Sequence, residues 1–179
     1  MAKKNSFFTH MVLPFLVLVC ICLAAAALLG YVHKVTEPII EEMTLKRAEE
    51  TRVAVLPGAT GFTEVEADLE ALGITGAYVE NNGLGYVMTA SNKGYGGPVV
   101  VTVGLDENGT IVGIKADAST ETSGVGSKVG QQSYLDRYLG AAGTSNVDGI
   151  TSATYTSVAV RTGVNSILAA FETIKEAAK

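Results

Sequence analysis

The stretch AYVENNGLGYVMTASNKGYGGPVVVTVGLDENGTIVGI, residues 77–114, contains the pattern that decides the fold. Two Asn-Gly pairs each separate two runs that are rich in β-branched and aromatic residues. The runs are residues 77–79 and 86–88 around Asn82-Gly83, and residues 99–105 and 110–114 around Asn108-Gly109. Asn-Gly between two such runs is typical of a tight β-hairpin, because the central residues of that turn need positive φ. The segment therefore predicts antiparallel strands.

A helix is predicted after the strands, from Ser157 to Ala178. Apolar residues recur there three or four positions apart, which is the helical period. These residues are Val160, Val164, Ile167, Leu168, Phe171 and Ile174. A shorter polar helix is predicted from Gly126 to Leu139. Antiparallel strands with flanking helices indicate an α+β fold.

Residues 11–32 form a run without any charged residue. At 1.5 Å per residue, a helix of this length covers roughly 33 Å, close to the roughly 30 Å thickness of membrane hydrocarbon. A cleaved signal peptide has a shorter apolar core, of about 7 to 15 residues. The run therefore predicts one uncleaved transmembrane helix.

Charge differs between the two sides of this span. Lys3 and Lys4 precede it, whereas every acidic residue follows it. The positive-inside rule then predicts that residues 1–10 are cytoplasmic. The chain is expected to be a single-pass protein of the cell (inner) membrane, with the rest of the chain on the outer face.

The exterior part is predicted to begin with a separate juxtamembrane helix, residues 33–58. Thr36-Glu37-Pro38 favours a helix that starts at the proline, since proline is well tolerated in a first helical turn. Leu56-Pro57-Gly58 is expected to end it. Residues 59–179 are then the exterior domain.

Composition excludes several functions. The net charge is −5 and no basic arm is present, so nucleic-acid binding is not expected. His10 and His33 both precede the exterior domain, and Cys20 and Cys22 lie in the span, which excludes a His-based triad, a disulfide and a zinc site there. No P-loop lysine or dinucleotide-binding glycine motif follows a strand. We therefore expect neither a metal nor catalytic residues in this chain.

Three short segments combine glycines with hydroxyl groups: residues 94–98, 121–128 and 148–157. Glycine lets a backbone approach a ligand closely, and hydroxyl groups at a helix N-terminus suit a phosphate. The residues alone leave a second interpretation open, in which the glycines form turns and Thr156 or Ser157 caps the last helix.

The third segment resembles a known attachment motif. Asp148-Gly149-Ile150-Thr151-Ser152-Ala153-Thr154 is similar to the motif of the covalent FMN-binding domain family, which reads Asp, two variable residues, Ser or Thr, Gly, Ala, Thr. The resemblance implies that FMN is bonded through its phosphate to Thr154. It also implies that Asp148, Thr151, Ser152 and Ala153 belong to the site, with Ser152 at the position of the motif's glycine. A separate flavin transferase, which uses FAD and magnesium, is the implied maturation partner.

The other two segments resemble the same family in the same order. Gly-Tyr-Gly-Gly occupies residues 94–97, and residues 121–126 are similar to the family's Glu-Thr-Pro-Gly-Leu-Gly loop. The resemblance implies a loop near the flavin. Its predicted cofactor-binding residues are Glu121, Thr122, Gly124 and Gly126. Two further candidates are Lys128, as a charge for the phosphate or ring, and Tyr95, which either stacks on the ligand or packs in the domain.

One anchor and a small exterior domain complete a resemblance to the G-subunit family of Rnf ion-translocating electron transport complexes. It implies an electron-transfer subunit of a ferredoxin:NAD oxidoreductase, not catalytic alone, that associates with other membrane subunits. The alternatives are a stand-alone anchored electron shuttle, the equivalent subunit of a sodium-pumping NADH:quinone reductase, and an anchored domain without flavin. An uncleaved span favours permanent packing against partner subunits over a free shuttle.

Overall fold

The computed structural model of the chain describes residues 12–66, 69 and 72–178. These residues divide into two compact units that separate between Arg47 and Ala48. The predictions made for residues 1–10, including Lys3 and Lys4, lie outside the described residues.

A long helix, α1, spans Leu13–Val55; it forms the described part of the N-terminal unit up to Arg47, and its last residues, 48–55, belong to the C-terminal unit. Within the described part of the chain, α1 is the one helix long and apolar enough to cross a membrane. The prediction that a separate helix begins at Pro38 was wrong, because α1 continues through this residue. Proline removes one backbone donor and disfavours one turn. Here the long run of helix-forming residues on both sides outweighs that local cost.

The C-terminal unit contains an antiparallel sheet in which neighbours in the chain are neighbours in space, in the order β1-β2-β3-β4-β5. The strands are β1 Phe62–Glu64, β2 Ile74–Glu80, β3 Tyr86–Lys93, β4 Pro98–Leu105 and β5 Ile111–Asp117. Both predicted hairpins are confirmed. Gly83 and Gly109 each have φ of 80°, as tight turns between twisted strands require.

One face of the sheet forms the main core with the C-terminal helix. Met88, Val103 and Ile114 are cross-strand neighbours on β3, β4 and β5, and all three are buried in this core. The helix that covers them is predicted correctly in type but starts earlier than expected, at Thr154 instead of Ser157. Part of the third motif segment therefore lies within its first turn.

The polar helix predicted from Gly126 to Leu139 is not a single helix. The segment folds as two 3-10 turns, Gly126–Gly130 and Asp136–Tyr138, around one α-helical turn, α2, Gln132–Leu135. Four of its apolar side chains are buried: Val129, Tyr134, Leu135 and Tyr138. Glycine weakens a continuous helix, and burial of these side chains holds the segment against the domain. The C-terminal helix, Thr154–Ala177, is therefore α3.

The other face of the sheet receives the end of α1. Val87, Gly104 and Gly113 form a cross-strand row, and Val55 of α1 lies over it. A Cβ atom at either glycine would overlap the carbonyl oxygen of Val55. The two glycines therefore allow the helix backbone to rest directly on the sheet. Tyr78 of β2 continues the same row as the partner of Val87, and the guanidinium of Arg52 lies 3.8 Å from the centre of its ring.

Replacing Gly104 with alanine is expected to lower the free energy of unfolding by about 1–3 kcal/mol, because overpacking forces the backbone to move. Denaturant unfolding of the full chain in detergent measures this. Val112→Ala is the matched control, since Val112 is exposed on the neighbouring strand. Equal stability of Gly104→Ala and the wild-type chain would contradict the close approach of α1.

Candidate functional site

The three glycine- and hydroxyl-rich segments meet at a cavity of about 290 Å³ beside the first turn of α3. The residues that line this cavity are Tyr95, Glu121, Thr122, Val125, Gly126, Ser152, Ala153, Thr154, Tyr155 and Thr156. The lining thus combines residues that lie as far as 61 positions apart in the chain. Its volume is near the lower end of the roughly 300–1,000 Å³ usual for small-molecule sites.

Glu121 joins the segments. Its Oε2 atom accepts a hydrogen bond of 2.8 Å from the Thr156 hydroxyl on α3, and its Oε1 atom accepts one of 3.0 Å from the backbone N–H of Gly96. A Cβ atom at Gly94 or Gly126 would overlap the Glu121 carboxylate. These glycines are therefore needed to bring both loops against a buried carboxylate.

The Glu121 carboxylate stays ionised at neutral pH despite its burial. Burial by itself raises the pKa of Glu121, but hydrogen bonds from the Thr156 hydroxyl and the backbone N–H groups of Gly96 and its neighbours outweigh it. The pKa of Glu121 is consequently below its usual value. Hydrogen bonds to the charged form have this effect.

Thr154 and Thr156 occupy different environments although both lie in the first turn of α3. Thr154 is the first helical residue and is exposed, whereas Thr156 is 2% exposed and bonded to Glu121. The first turn contains no acidic residue, and Ala153 at the N-cap provides no side-chain hydrogen bond. Backbone donors and the positive end of the helix dipole thus remain available for an anion next to the Thr154 hydroxyl.

The capping interpretation of Thr156 and Ser157 was wrong, because α3 begins before both residues. The Oγ atom of Ser157 instead accepts a hydrogen bond of 2.9 Å from the backbone N–H of Ile150. Ser157 is 3% exposed. Its hydroxyl therefore holds the loop that leads into Thr154.

Ser152 has φ of 69°, the one positive φ found at a non-glycine position within the described ranges. The left-handed conformation costs a residue with a Cβ atom roughly 1–2 kcal/mol. This geometry explains why a glycine suits the position.

Replacing Ser152 with glycine is therefore expected to raise the free energy of unfolding by about 0.5–1 kcal/mol, after the greater unfolded-state entropy of glycine is subtracted. Ser152→Val should be less stable than the wild-type chain, because a β-branched residue is most strained at positive φ. Denaturant unfolding of the three full-length chains gives the order. A glycine variant less stable than the serine chain would show that the strain is absent.

The cavity gathers most of the site residues predicted from the sequence, namely Tyr95, Glu121, Thr122, Gly126, Ser152, Ala153 and Thr154. The remaining predicted residues, Gly124, Lys128, Asp148 and Thr151, are not part of its lining. All four of these are exposed. Lys128 is therefore a solvent-exposed charge that does not line the cavity.

Val125, Tyr155 and Thr156 also line the cavity, although their residue types and spacing did not assign them to the site. The sequence did contain a signal that could have identified Tyr155: it lies off the apolar stripe of α3, so the core does not require its ring. The interpretation of Tyr95 as a packing residue is not supported, since its side chain is 76% exposed. Glu121 is the one carboxylate among the lining residues, which include neither lysine nor arginine.

Residues 94–169 match the family model of the FMN-binding domain. The matched range contains all three motif segments and every residue that lines the cavity. Fold and site together define an FMN-binding protein with a membrane-length N-terminal helix.

Two relatives extend the match over most of the chain. The chain is 30% identical to the G subunit of the Na(+)-translocating ferredoxin:NAD(+) oxidoreductase complex of Acetobacterium woodii, over 90% of this chain and 91% of the relative. It is 23% identical to the G subunit of the proton-translocating ferredoxin:NAD(+) oxidoreductase complex of Clostridium ljungdahlii, over 80% of this chain and 82% of the relative. The chain belongs to the G-subunit family of Rnf-type electron transport complexes.

Proposed function

We propose that this chain is the subunit of a membrane-bound, ion-translocating ferredoxin:NAD oxidoreductase complex that relays electrons through FMN bonded to Thr154. Membership of the G-subunit family supports the complex, and the FMN-binding domain supports the cofactor. The observation that carries the attachment is the exposed Thr154 hydroxyl at the rim of a cavity built from all three motif segments.

The residues at the cavity fit FMN. Thr154 and the first turn of α3 suit the phosphate end, because the N-terminus of a helix favours an anion. The largely uncharged lining suits part of a flat aromatic group, and the cavity volume leaves the rest of the molecule in solvent. FMN supplies the electron-transfer chemistry when bound, while the protein sets its position and electrostatic surroundings.

The covalent step is a phosphoryl transfer. The Oγ atom of Thr154 forms a bond to the FMN phosphorus of FAD, the diphosphate P–O bond breaks, and AMP leaves. The hydroxyl proton must pass to a base. Glu121 is the carboxylate in the cavity, and its oxygens bind Thr156 and Gly96 instead of Thr154. This arrangement supports the proposal that a separate, magnesium-dependent flavin transferase supplies the base.

A covalent bond also suits the charge of the cavity. The phosphate of free FMN is an anion, whereas the lining provides a carboxylate and neither lysine nor arginine. Occupancy of a reversible site depends on the free ligand concentration. A phosphoester keeps FMN in place at any outside concentration, as an exported electron carrier requires.

The FMN-binding domain is proposed to face the outside of the cell. A cysteine introduced at exposed Thr144, in a chain with Cys20→Ala and Cys22→Ala, is expected to react with a membrane-impermeant maleimide in intact cells. The matched control is a cysteine at Ser6, which precedes the span and should react only after permeabilisation. The reverse labelling pattern would overturn the orientation.

The function is tested in membranes from cells whose chromosomal copy carries Thr154→Ala. Oxidation of reduced ferredoxin coupled to NAD⁺ reduction should fall to background while the complex remains assembled, and Thr154→Ser should preserve measurable activity. Unchanged activity in the alanine strain, with no FMN adduct on the chain by intact mass, would show that electrons do not pass through this flavin.

A further inference from the structure

Two tyrosines stand apart from the other aromatic residues of the C-terminal unit. Tyr95 and Tyr155 are 76% and 73% exposed, more than any other large apolar or aromatic side chain described there. Both line the cavity. The remaining described tyrosines of this unit have ring partners: Tyr78 with Arg52, Tyr86 with Phe171, and Tyr134 with Tyr138.

The backbone that carries each exposed ring is held in place. Tyr95 sits in a turn closed by the 2.8 Å hydrogen bond from Gly94 N–H to the Gly97 carbonyl, and the next N–H, of Gly96, donates to Glu121. Tyr155 lies in the first turn of α3, and the next residue, Thr156, donates to the same carboxylate. The two rings are therefore attached to backbone segments that one buried group fixes to each other.

Two exposed aromatic rings that line the same cavity offer apolar area that a ligand can cover. An aromatic ring covers much apolar area, and a fixed backbone reduces the entropy lost on binding. A flat, uncharged aromatic partner suits this place, since the cavity offers apolar Val125 and neither lysine nor arginine. The ring system of a flavin has that chemistry, whereas its phosphate does not.

We propose that Tyr95 and Tyr155 form an aromatic subsite that stacks on the flavin ring, while Thr154 holds the phosphate end. This inference rests on the proposed function and adds Tyr155, the neighbour of the attachment residue, as a positioning residue for the ring. Stacked or edge-on aromatic contacts favour such binding beyond area burial alone. The tyrosines thus limit the positions that a tethered but otherwise mobile ring can take.

The test uses the full chain, coexpressed with a flavin transferase and purified in detergent, with the adduct quantified by intact mass. A stacked tyrosine quenches flavin fluorescence by donating an electron to the excited ring, and a fixed ring gives a visible circular dichroism signal. The wild-type adduct should be several-fold dimmer than the flavin peptide released by proteolysis. Tyr155→Leu and Tyr95→Leu should each brighten the flavin and weaken the dichroism.

The phenylalanine variants separate stacking from general disturbance. Tyr155→Phe and Tyr95→Phe keep a flat ring but not the phenol that donates the electron, so fluorescence should rise while the visible dichroism is retained. Val158→Ala is the matched control, because Val158 is an exposed apolar residue of α3 outside the cavity lining. It should change neither signal.

The measurements distinguish failure of the aromatic subsite from failure of the covalent attachment. If the wild-type chain carries an adduct but both leucine variants keep its fluorescence and dichroism, the aromatic subsite is wrong and the attachment stands. The same spectra together with weakened association with partner subunits would assign the tyrosines to a docking surface, which also overturns the inference. A wild-type chain without an adduct would overturn the covalent attachment and this inference with it.

Discussion

Thr154→Ala is expected to abolish the covalent flavin while the chain stays folded. The alanine chain lacks the nucleophilic oxygen, and exposed substitutions usually change the free energy of unfolding by no more than about 0.5 kcal/mol. Coexpression with a flavin transferase, followed by flavin fluorescence on a denaturing gel and by intact mass, measures the adduct. Thr154→Ser keeps a hydroxyl at the same place and should retain it.

The neighbouring hydroxyls provide matched controls. Thr156→Ala and Ser152→Ala should both keep the adduct. Thr156→Ala should also lower the free energy of unfolding by about 1–3 kcal/mol, because the Glu121 carboxylate loses a buried donor. A fluorescent Thr154→Ala chain would refute the assignment. Loss of the adduct in Ser152→Ala alone would move the attachment to that residue.

Glu121→Ala is expected to lower the free energy of unfolding by about 2–4 kcal/mol and to reduce the adduct yield strongly. It leaves the Thr156 hydroxyl and the Gly96 N–H without their acceptor, and each buried donor costs about 1–3 kcal/mol. Denaturant unfolding and the gel assay measure the two effects. Glu172→Ala, an exposed position on α3, is the control and should change neither.

Acid unfolding adds a test of the charged form. The pKa of folded Glu121 is below its usual value, so its hydrogen bonds stabilise the fold above the unfolded-state pKa of about 4.3. That contribution is lost as the pH falls through the folded value. Glu121→Gln should therefore show a shallower loss of stability below about pH 4.3. Glu80 and Asp106, whose pKa values are also lowered, contribute to the loss that remains.

Two results would contradict the role given to Glu121. Wild-type stability in Glu121→Ala would mean that the carboxylate does not hold the loops and α3 together. A large loss of stability with a normal adduct yield in the remaining folded chain would mean that the transferase does not require this arrangement.

Parts of the fold that depend on local sequence could be predicted. The hairpins at Asn82-Gly83 and Asn108-Gly109 follow from turn residues beside the strands, and α3 follows from its apolar period. The path of α1 through Pro38 could not, because the local preference of proline competes with the stability of a long helix. The broken turns of residues 126–138 likewise depend on burial that only the folded domain provides.

The functional site was likewise only partly predictable from the sequence. The order of the motifs indicated which three segments form the site. It did not indicate the hydrogen bond from Thr156 to Glu121, because these residues are 35 positions apart. Sequence cannot distinguish Thr154 from Thr156 by chemistry, since both have the same hydroxyl group. Their difference is exposure, which arises only when α3 packs against the loop of Glu121. The strained φ of Ser152 is also a property of the closed loop.

The position of Thr154 on a completed helical turn bears on the order of maturation. An exposed hydroxyl presented by α3, beside a loop already fixed through Ser157, can be reached by a modifying enzyme after the domain has folded. Folding then need not wait for the cofactor. Under the proposed attachment at Thr154, loading of the flavin would then depend on a setting that α3 and this loop provide only in the folded domain.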